Sequence, residues 1–196
     1  MGQHLVVQTD QMFTFMTTAD PSFTFLRNLA LPYLLPWVKS NPQFGGKAFQ
    51  YVSGLNVKYR NSGIVGTATG FDGPIRGGFR ASDGVTRTAD GQQGWLQDLL
   101  RGPTYHLLLF AGTGSTQESE DVERRLLEAG QDGVPVHVIA AADNKDPKAV
   151  ADVSGELHKL YGFASKPGYV YVRPDGYVEH IGMLDQVDEL FEWLKA

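Results

Sequence analysis

The sequence predicts an α/β fold with a mixed sheet, preceded by a helical extension. From Leu96 onward, continuous apolar runs alternate with amphipathic segments, a pattern typical of buried parallel strands joined by helices. Near the end of the chain, Pro174-Asp-Gly176 separates two runs of alternating apolar and polar residues, which is a strong hairpin signal. The strands of a hairpin are antiparallel, so the predicted sheet contains both kinds of pairing.

Residues 96–196 contain four predicted strands and three predicted helices. The strands are His106–Ala111, Val134–Ala141, Tyr169–Arg173 and Tyr177–Ile181, and the helices span residues 118–129, 147–161 and 184–194. Their order is β-α-β-α-β-β-α. Right-handed crossovers make the first two strands parallel and place helices on both faces of the sheet, which is the thioredoxin-like plan.

The first 95 residues have a different composition. Helices are predicted for residues 5–16, 23–38 and 42–54, with Asp20-Pro21 as cap and first residue of the second helix, and a short strand is predicted for residues 55–60. Nine glycines between Gly63 and Gly94 predict an extended linker. The predicted organisation is therefore a helical extension (1–64), a glycine-rich linker (65–95) and a thioredoxin-like domain (96–196).

Composition excludes several classes of function. The 196 residues include no cysteine, so thiol–disulfide chemistry, thiolate-ligated zinc and iron–sulfur clusters are excluded. A net charge of −5 argues against nucleic acid or an anionic membrane as a partner. The chain shows neither an apolar run of membrane-spanning length nor a signal-peptide pattern, and we expect a cytoplasmic protein.

The turn after the first core strand is where a thioredoxin-like fold carries its reactive thiols. Here it reads Ala111–Gln117, with Ser115 and Thr116 as expected helix-capping residues. Gly112-x-Gly114 is a partial dinucleotide fingerprint, but Gln117 occupies the third glycine position. We therefore predict no catalytic residue, no cofactor-binding residue and no bound cofactor.

The five histidines show no metal-binding spacing, so no metal ligand is predicted. They are expected on the surface or at the rim of the sheet. Lys166 and Pro167 precede the third core strand, where thioredoxin-like folds usually place a cis-proline loop. We therefore predict a cis bond between these two residues.

Six segments together resemble the C-terminal region of one family, the FAD-dependent aromatic-ring hydroxylases of the phenol hydroxylase and polyketide hydroxylase type. The segments are Thr9–Phe13, Phe25–Pro32, Ser53–Leu55 with Val57–Arg60, Gly78–Asp83, Leu99–Gly102 with Leu107–Phe110, and Val172–Val178. Phe79 and Ser82 depart from the Gly-Asp-Arg-Ala-Pro-Asp pattern usual at the fourth segment. The resemblance implies a helical linker and a redox-inactive thioredoxin-like domain, while the family's flavin-binding motifs match no position in these 196 residues.

The resemblance implies a non-catalytic interaction or dimerisation module that is not an enzyme on its own. The family activity would be FAD-dependent aromatic hydroxylation, and the alternative is a subunit that takes part in that reaction with FAD held by another chain. Partners would be a second copy or a flavoprotein, bound through the apolar N-terminal helices. A third reading is a small-ligand carrier, with a pocket lined by Tyr51, Tyr59, Trp95 and Tyr105.

Overall fold

The computed structural model divides the chain into two compact units, Met1–Val57 and Lys58–Ala196. It describes residues 7, 10, 11, 13, 14, 17–41, 57–59, 62–111, 117–128, 130, 131, 133–142 and 148–195. Among these residues, no helix combines the length and the apolar character needed to cross a bilayer.

The first unit contains helix α1, Pro21–Ser40. Asp20 caps it as predicted, because its Oδ1 accepts the backbone N–H groups of Ser22 and Phe23 at 2.9 and 3.2 Å. Residues 7, 10, 11, 13, 14 and 17 are also helical, in agreement with the first predicted helix. The predicted helix at 42–54 lies outside the described residues.

The described part of the second unit is built on a seven-stranded sheet. Its strands are β1 (Val85–Arg87), β2 (Gln93–Trp95), β3 (His106–Phe110), β4 (Val136–Ala141), β5 (Ala149–Asp152), β6 (Gly168–Val172) and β7 (Val178–Met183). Its helices are α2 (Leu96–Leu99), α3 (Gln117–Glu128), α4 (Glu156–Tyr161) and α5 (Val187–Trp193), with a 3-10 turn at Leu184–Gln186. The strand order is β2-β1-β5-β4-β3-β6-β7.

The centre of this sheet confirms the predicted plan. Strands β3 and β4 are parallel and connected through α3, whereas β6 is antiparallel to both β3 and β7. The β6–β7 turn carries Gly176 at a φ of 78°, a conformation that glycine adopts without steric cost. The second unit therefore has a thioredoxin-like α/β fold.

The predicted helix at 147–161 is wrong in its first half. Residues 149–152 form β5, which pairs in parallel with β4, and only residues 156–161 are helical. Gly155 separates the two elements in the left-handed region, with φ 69°. Pairing with β4 buries Ala149 and Ala151, so the gain from completing the sheet outweighs a helical pattern of apolar residues.

The glycine-rich stretch contains more structure than an extended linker. Strands β1 and β2 form a hairpin, and β1 pairs with β5. At the opposite edge of the sheet, the backbone of residues 66–79 is hydrogen-bonded to β7. Gly66 N donates to Glu179 O at 2.7 Å, and Ala68 N donates to Ile181 O at 2.8 Å. We call residues 66–79 the β7 strap.

Two further predictions were wrong. Residues 57–59, the described part of the predicted strand at 55–60, have no strand structure, although Tyr59 N donates to Gly78 O at 2.8 Å. The bond between Lys166 and Pro167 is trans, because no cis peptide bond occurs among the described residues.

Two apolar clusters form most of the core of the second unit. The larger one joins the β7 strap, α4 and several strands around Phe110, Tyr161 and Phe163. The other packs α3 and α5 around Leu107, Leu109, Tyr169 and Tyr171, whose side chains alternate along β3 and β6 with those of the first cluster. The sheet is therefore covered on both faces.

Candidate functional site

The thioredoxin-like corner is the first candidate site. Phe110, the last residue of β3, lies opposite Gly168, the first residue of β6. This register places the end of β3 beside the loop that carries Lys166 and Pro167. The residues singled out in the turn itself, Gly112, Gly114, Ser115 and Thr116, lie outside the described residues.

A cavity of about 280 Å³ opens near this corner. Its described lining comes from the Lys166 loop, helix α3 and the turn after β7: Asp121, Val122, Lys166, Pro167, Met183, Leu184, Asp185 and Val187. None of these side chains is a hydroxyl, thiol or imidazole. This lining therefore provides a mixed apolar and charged contact surface that contains no alcohol, thiol or imidazole nucleophile.

Four of the five histidines are placed differently from the prediction, and His4 lies outside the described residues. His106, His158 and His180 are buried, with 2%, 7% and 4% of their surface exposed, and His137 is half-buried. Each of the four has a polar side-chain neighbour within 3.2 Å. The sequence signal was weak because histidine occurs both inside and on the surface of proteins.

Asp152 and His158 form a buried pair at the start of α4. Oδ2 of Asp152 accepts both the backbone N–H of His158 at 3.0 Å and its ring Nδ1–H at 2.8 Å. Oδ1 of Asp152 and Nε2 of His158 are buried and have no hydrogen-bond partner among the described residues. The geometry is that of an oriented acid–histidine pair, but the imidazole packs edge-on against Phe110, with ring centroids 5.2 Å apart, rather than facing a nucleophile.

His106 and His137 form a second pair on neighbouring parallel strands. Nδ1 of His106 lies 3.2 Å from Nε2 of His137, and the rings are stacked. Burial lowers the pKa of His137 to about 4, with a further lowering from the neighbouring His106. Burial also lowers the pKa of His106. Both rings are therefore neutral at pH 7, so one nitrogen can donate and the other accept.

The His106–His137 pair predicts a loss of stability in mild acid. In the unfolded chain, His137 takes up a proton as the pH falls through 6.5. In the folded chain, His137 remains neutral until about pH 4. The free energy of unfolding therefore decreases as the pH falls from 6.5 to about 4. His137→Gln, which keeps a hydrogen-bonding group, should flatten this decrease in urea titrations at successive pH values; an unchanged pH dependence would contradict the assignment.

A third polar cluster links β6, β7 and α5. The Tyr169 hydroxyl lies 3.0 Å from Nδ1 of His180, and the His180 ring packs against Trp193 at 5.5 Å. Burial lowers the pKa of His180 to about 4, although Glu189 opposes this effect, and burial raises the pKa of Tyr169. The hydroxyl and the imidazole are therefore both neutral at pH 7 and bridge the two strands.

The described residues contain no group of three or more His, Asp or Glu side chains arranged to hold a metal ion. A second cavity, of about 460 Å³, is lined by residues that the sequence reasoning did not select, with the exception of Tyr105: Gly63, Ile64, Tyr105, Arg173, Glu179 and Trp193. Of the other aromatics expected in a ligand pocket, Tyr59 packs against Tyr177, Trp95 is 54% exposed, and Tyr51 lies outside the described residues.

No protein-family model and no curated protein matches the chain. Among solved structures, the flavin-dependent monooxygenase PieE, determined with FAD and substrate, aligns with 95% of this chain at 19% identity and a TM-score of 0.55. The alignment covers 31% of PieE, so the chain spans about a third of that protein's length.

Thioredoxin-fold proteins are also similar to this chain. The thioredoxin domain of a thiol-disulfide oxidoreductase from Bacteroides vulgatus aligns with 62% of this chain and 96% of its own, at 14% identity and a TM-score of 0.48. A Plasmodium vivax 2-Cys peroxiredoxin aligns with 61% of this chain and 80% of its own, at 19% identity and a TM-score of 0.41. At identities of 14–19%, these similarities show the fold alone.

Proposed function

We propose that this chain is a non-catalytic, redox-inactive thioredoxin-like interaction module, related to the C-terminal part of FAD-dependent aromatic-ring monooxygenases. The observation that carries the proposal is the structural likeness to PieE, which extends over 95% of this chain and therefore includes more than the thioredoxin-like core. The six sequence segments that resemble aromatic-ring hydroxylases support the same relationship.

The chemistry of the side chains supports the redox-inactive part of this proposal. Thiol–disulfide exchange and peroxide reduction by thioredoxin-fold proteins need a cysteine thiolate as nucleophile. This chain has the fold but none of its 196 residues is a cysteine. In this proposal the fold serves as a packing scaffold. The expected location of the protein is the cytoplasm.

Helix α1 is the proposed interaction surface. It exposes a set of large apolar side chains: Phe23, Phe25, Leu26, Leu29, Tyr33, Leu34 and Trp37. Exposed apolar patches of this kind mark binding surfaces in soluble proteins. We propose a second copy of the chain, or a flavoprotein chain, as the partner.

The mass in solution and the affinity for flavin test this proposal. We expect the purified chain to remain colourless after incubation with FAD and gel filtration, and to elute as a dimer or in complex with its partner. Phe25→Ser with Tyr33→Ser, at positions 70% and 76% exposed, should weaken that association while the circular dichroism spectrum stays unchanged. Stoichiometric retention of FAD would contradict the non-catalytic assignment, and a monomeric unmutated chain without a partner would contradict the interaction assignment.

A second candidate is a subunit that takes part in aromatic hydroxylation with FAD supplied by another chain. PieE, which holds FAD and substrate in its solved structure, is the observation that favours it. In this case a flavoprotein copurified with the chain should hydroxylate an aromatic substrate only when the chain is present. Equal product formation with and without the chain would contradict this second candidate, and the interaction module would remain as the proposed function.

A further inference from the structure

The cavity of about 460 Å³ in the second unit has the size of a small-molecule site, for which the usual range is about 300–1,000 Å³. Two residues of opposite charge line it, Arg173 directly after β6 and Glu179 on β7, together with the aromatic rings of Tyr105 and Trp193. Ile64, which is 56% exposed, adds an aliphatic side chain. The lining thus combines a cation, an anion and flat apolar surface.

The charged groups keep hydrogen-bonding capacity beyond their contacts within the protein. Nη2 of Arg173 pairs with Asp175 at 2.7 Å, and a guanidinium has several further N–H donors. Oε1 of Glu179 accepts the indole N–H of Trp193 at 3.3 Å, and a carboxylate accepts several hydrogen bonds. Both charges act on the same phenol: the pKa of Tyr105 is raised chiefly by burial and also by Glu179, and is lowered by Arg173.

The aromatic side chains are held in place by neighbours within the fold. The Tyr105 ring stacks on the buried Tyr171 ring at 5.1 Å with an interplanar angle of 9°. Trp193 is fixed by its bond to Glu179 and by packing against His180. Rings held in this way offer a preorganised surface for the apolar body of a ligand, so less conformational entropy is lost on binding.

We propose that this cavity binds a small zwitterion with an aromatic side chain, of the type of a free aromatic amino acid. Arg173 would bind the carboxylate, Glu179 the ammonium group, and Tyr105 and Trp193 the ring. A ligand with a single charge would pair one of the two protein charges. It would cover the other protein charge without pairing it, which costs desolvation energy. The proposal is independent of the interaction function assigned to α1.

The test compares three ligands of similar size: L-phenylalanine, 2-phenylethylamine without the carboxylate, and 3-phenylpropionate without the ammonium group. Trp37→Phe with Trp95→Phe leaves Trp193 as the fluorescence probe in the full chain. L-phenylalanine should bind at least about tenfold more tightly than either single-charge compound, because each loses one charge-assisted contact. Equal affinities, or no effect of any compound on Trp193 fluorescence at millimolar concentration, would overturn the proposal.

Two variants assign the contacts. Arg173→Met should abolish the preference for L-phenylalanine over 2-phenylethylamine but keep the preference over 3-phenylpropionate, and Glu179→Gln should do the reverse. Arg101→Met is the matched control, because Arg101 pairs with Asp98, is 79% exposed and does not line the cavity. If both cavity variants keep both preferences, the assignment is wrong; if a variant unfolds, the ligand series on the unmutated cavity still decides.

Discussion

Replacing Phe110 with alanine will lower the free energy of unfolding by about 3–5 kcal/mol, the usual cost of truncating a buried phenylalanine. Phe110 is fully buried at the end of β3. Its ring contacts those of Tyr161, Phe163 and His158, with centroid distances of 5.0, 5.1 and 5.2 Å. Alanine would leave a cavity among these rings and remove their aromatic contacts, each of which adds to the simple effect of burial.

Urea denaturation measures this loss directly. Phe110→Leu, which fills most of the space, should cost less than about 1.5 kcal/mol. Leu160→Ala is the exposed control, since Leu160 is 42% exposed on α4, and should change stability by much less than Phe110→Ala. A loss below about 1 kcal/mol for Phe110→Ala would mean that the ring does not anchor this cluster.

The strand that ends at Phe110 and the neighbouring hairpin show what the sequence can predict. The apolar runs at 106–111 and 169–173 are long and continuous, and both become buried strands of the predicted sheet. The Pro174-Asp-Gly176 sequence strongly favours a tight turn, and the structure has the predicted hairpin at this position. Elements with a strong local pattern were therefore predicted correctly together with the thioredoxin-like order.

The remaining features depend on contacts between residues distant in the chain. Residues 149–152 become a strand only because β4 offers an edge, which periodicity does not reveal. The cavity of about 460 Å³ brings Tyr105 together with Arg173, Glu179 and Trp193, which lie at least 68 positions later in the chain. Although Arg173 lies in the segment Val172–Val178 and Tyr105 was an expected pocket residue, no sequence pattern connects these four side chains, so their juxtaposition could be found only in the folded chain.

Gly77→Ala is expected to destabilise the second unit by about 2–3 kcal/mol, toward the upper end of the range for overpacking. Gly77 is buried in the β7 strap, and its N–H donates to the Thr67 hydroxyl at 3.0 Å. A Cβ built at this position collides with the carbonyl oxygen of Gly66 and lies 2.8 Å from its carbonyl carbon. The obstacle is backbone, which cannot move aside as a flexible side chain can.

Gly63→Ala separates this collision from the general effect of replacing a glycine. A Cβ at Gly63 has no heavy atom within 4 Å, so alanine there should be neutral or slightly stabilising through the unfolded chain. Hydrogen exchange of the Gly66 and Ala68 amides, which donate to β7, locates the change: it should accelerate in Gly77→Ala and not in Gly63→Ala. Equal stability of the two variants would show that the strap shifts without cost, as the extended linker predicted from the glycine content would allow.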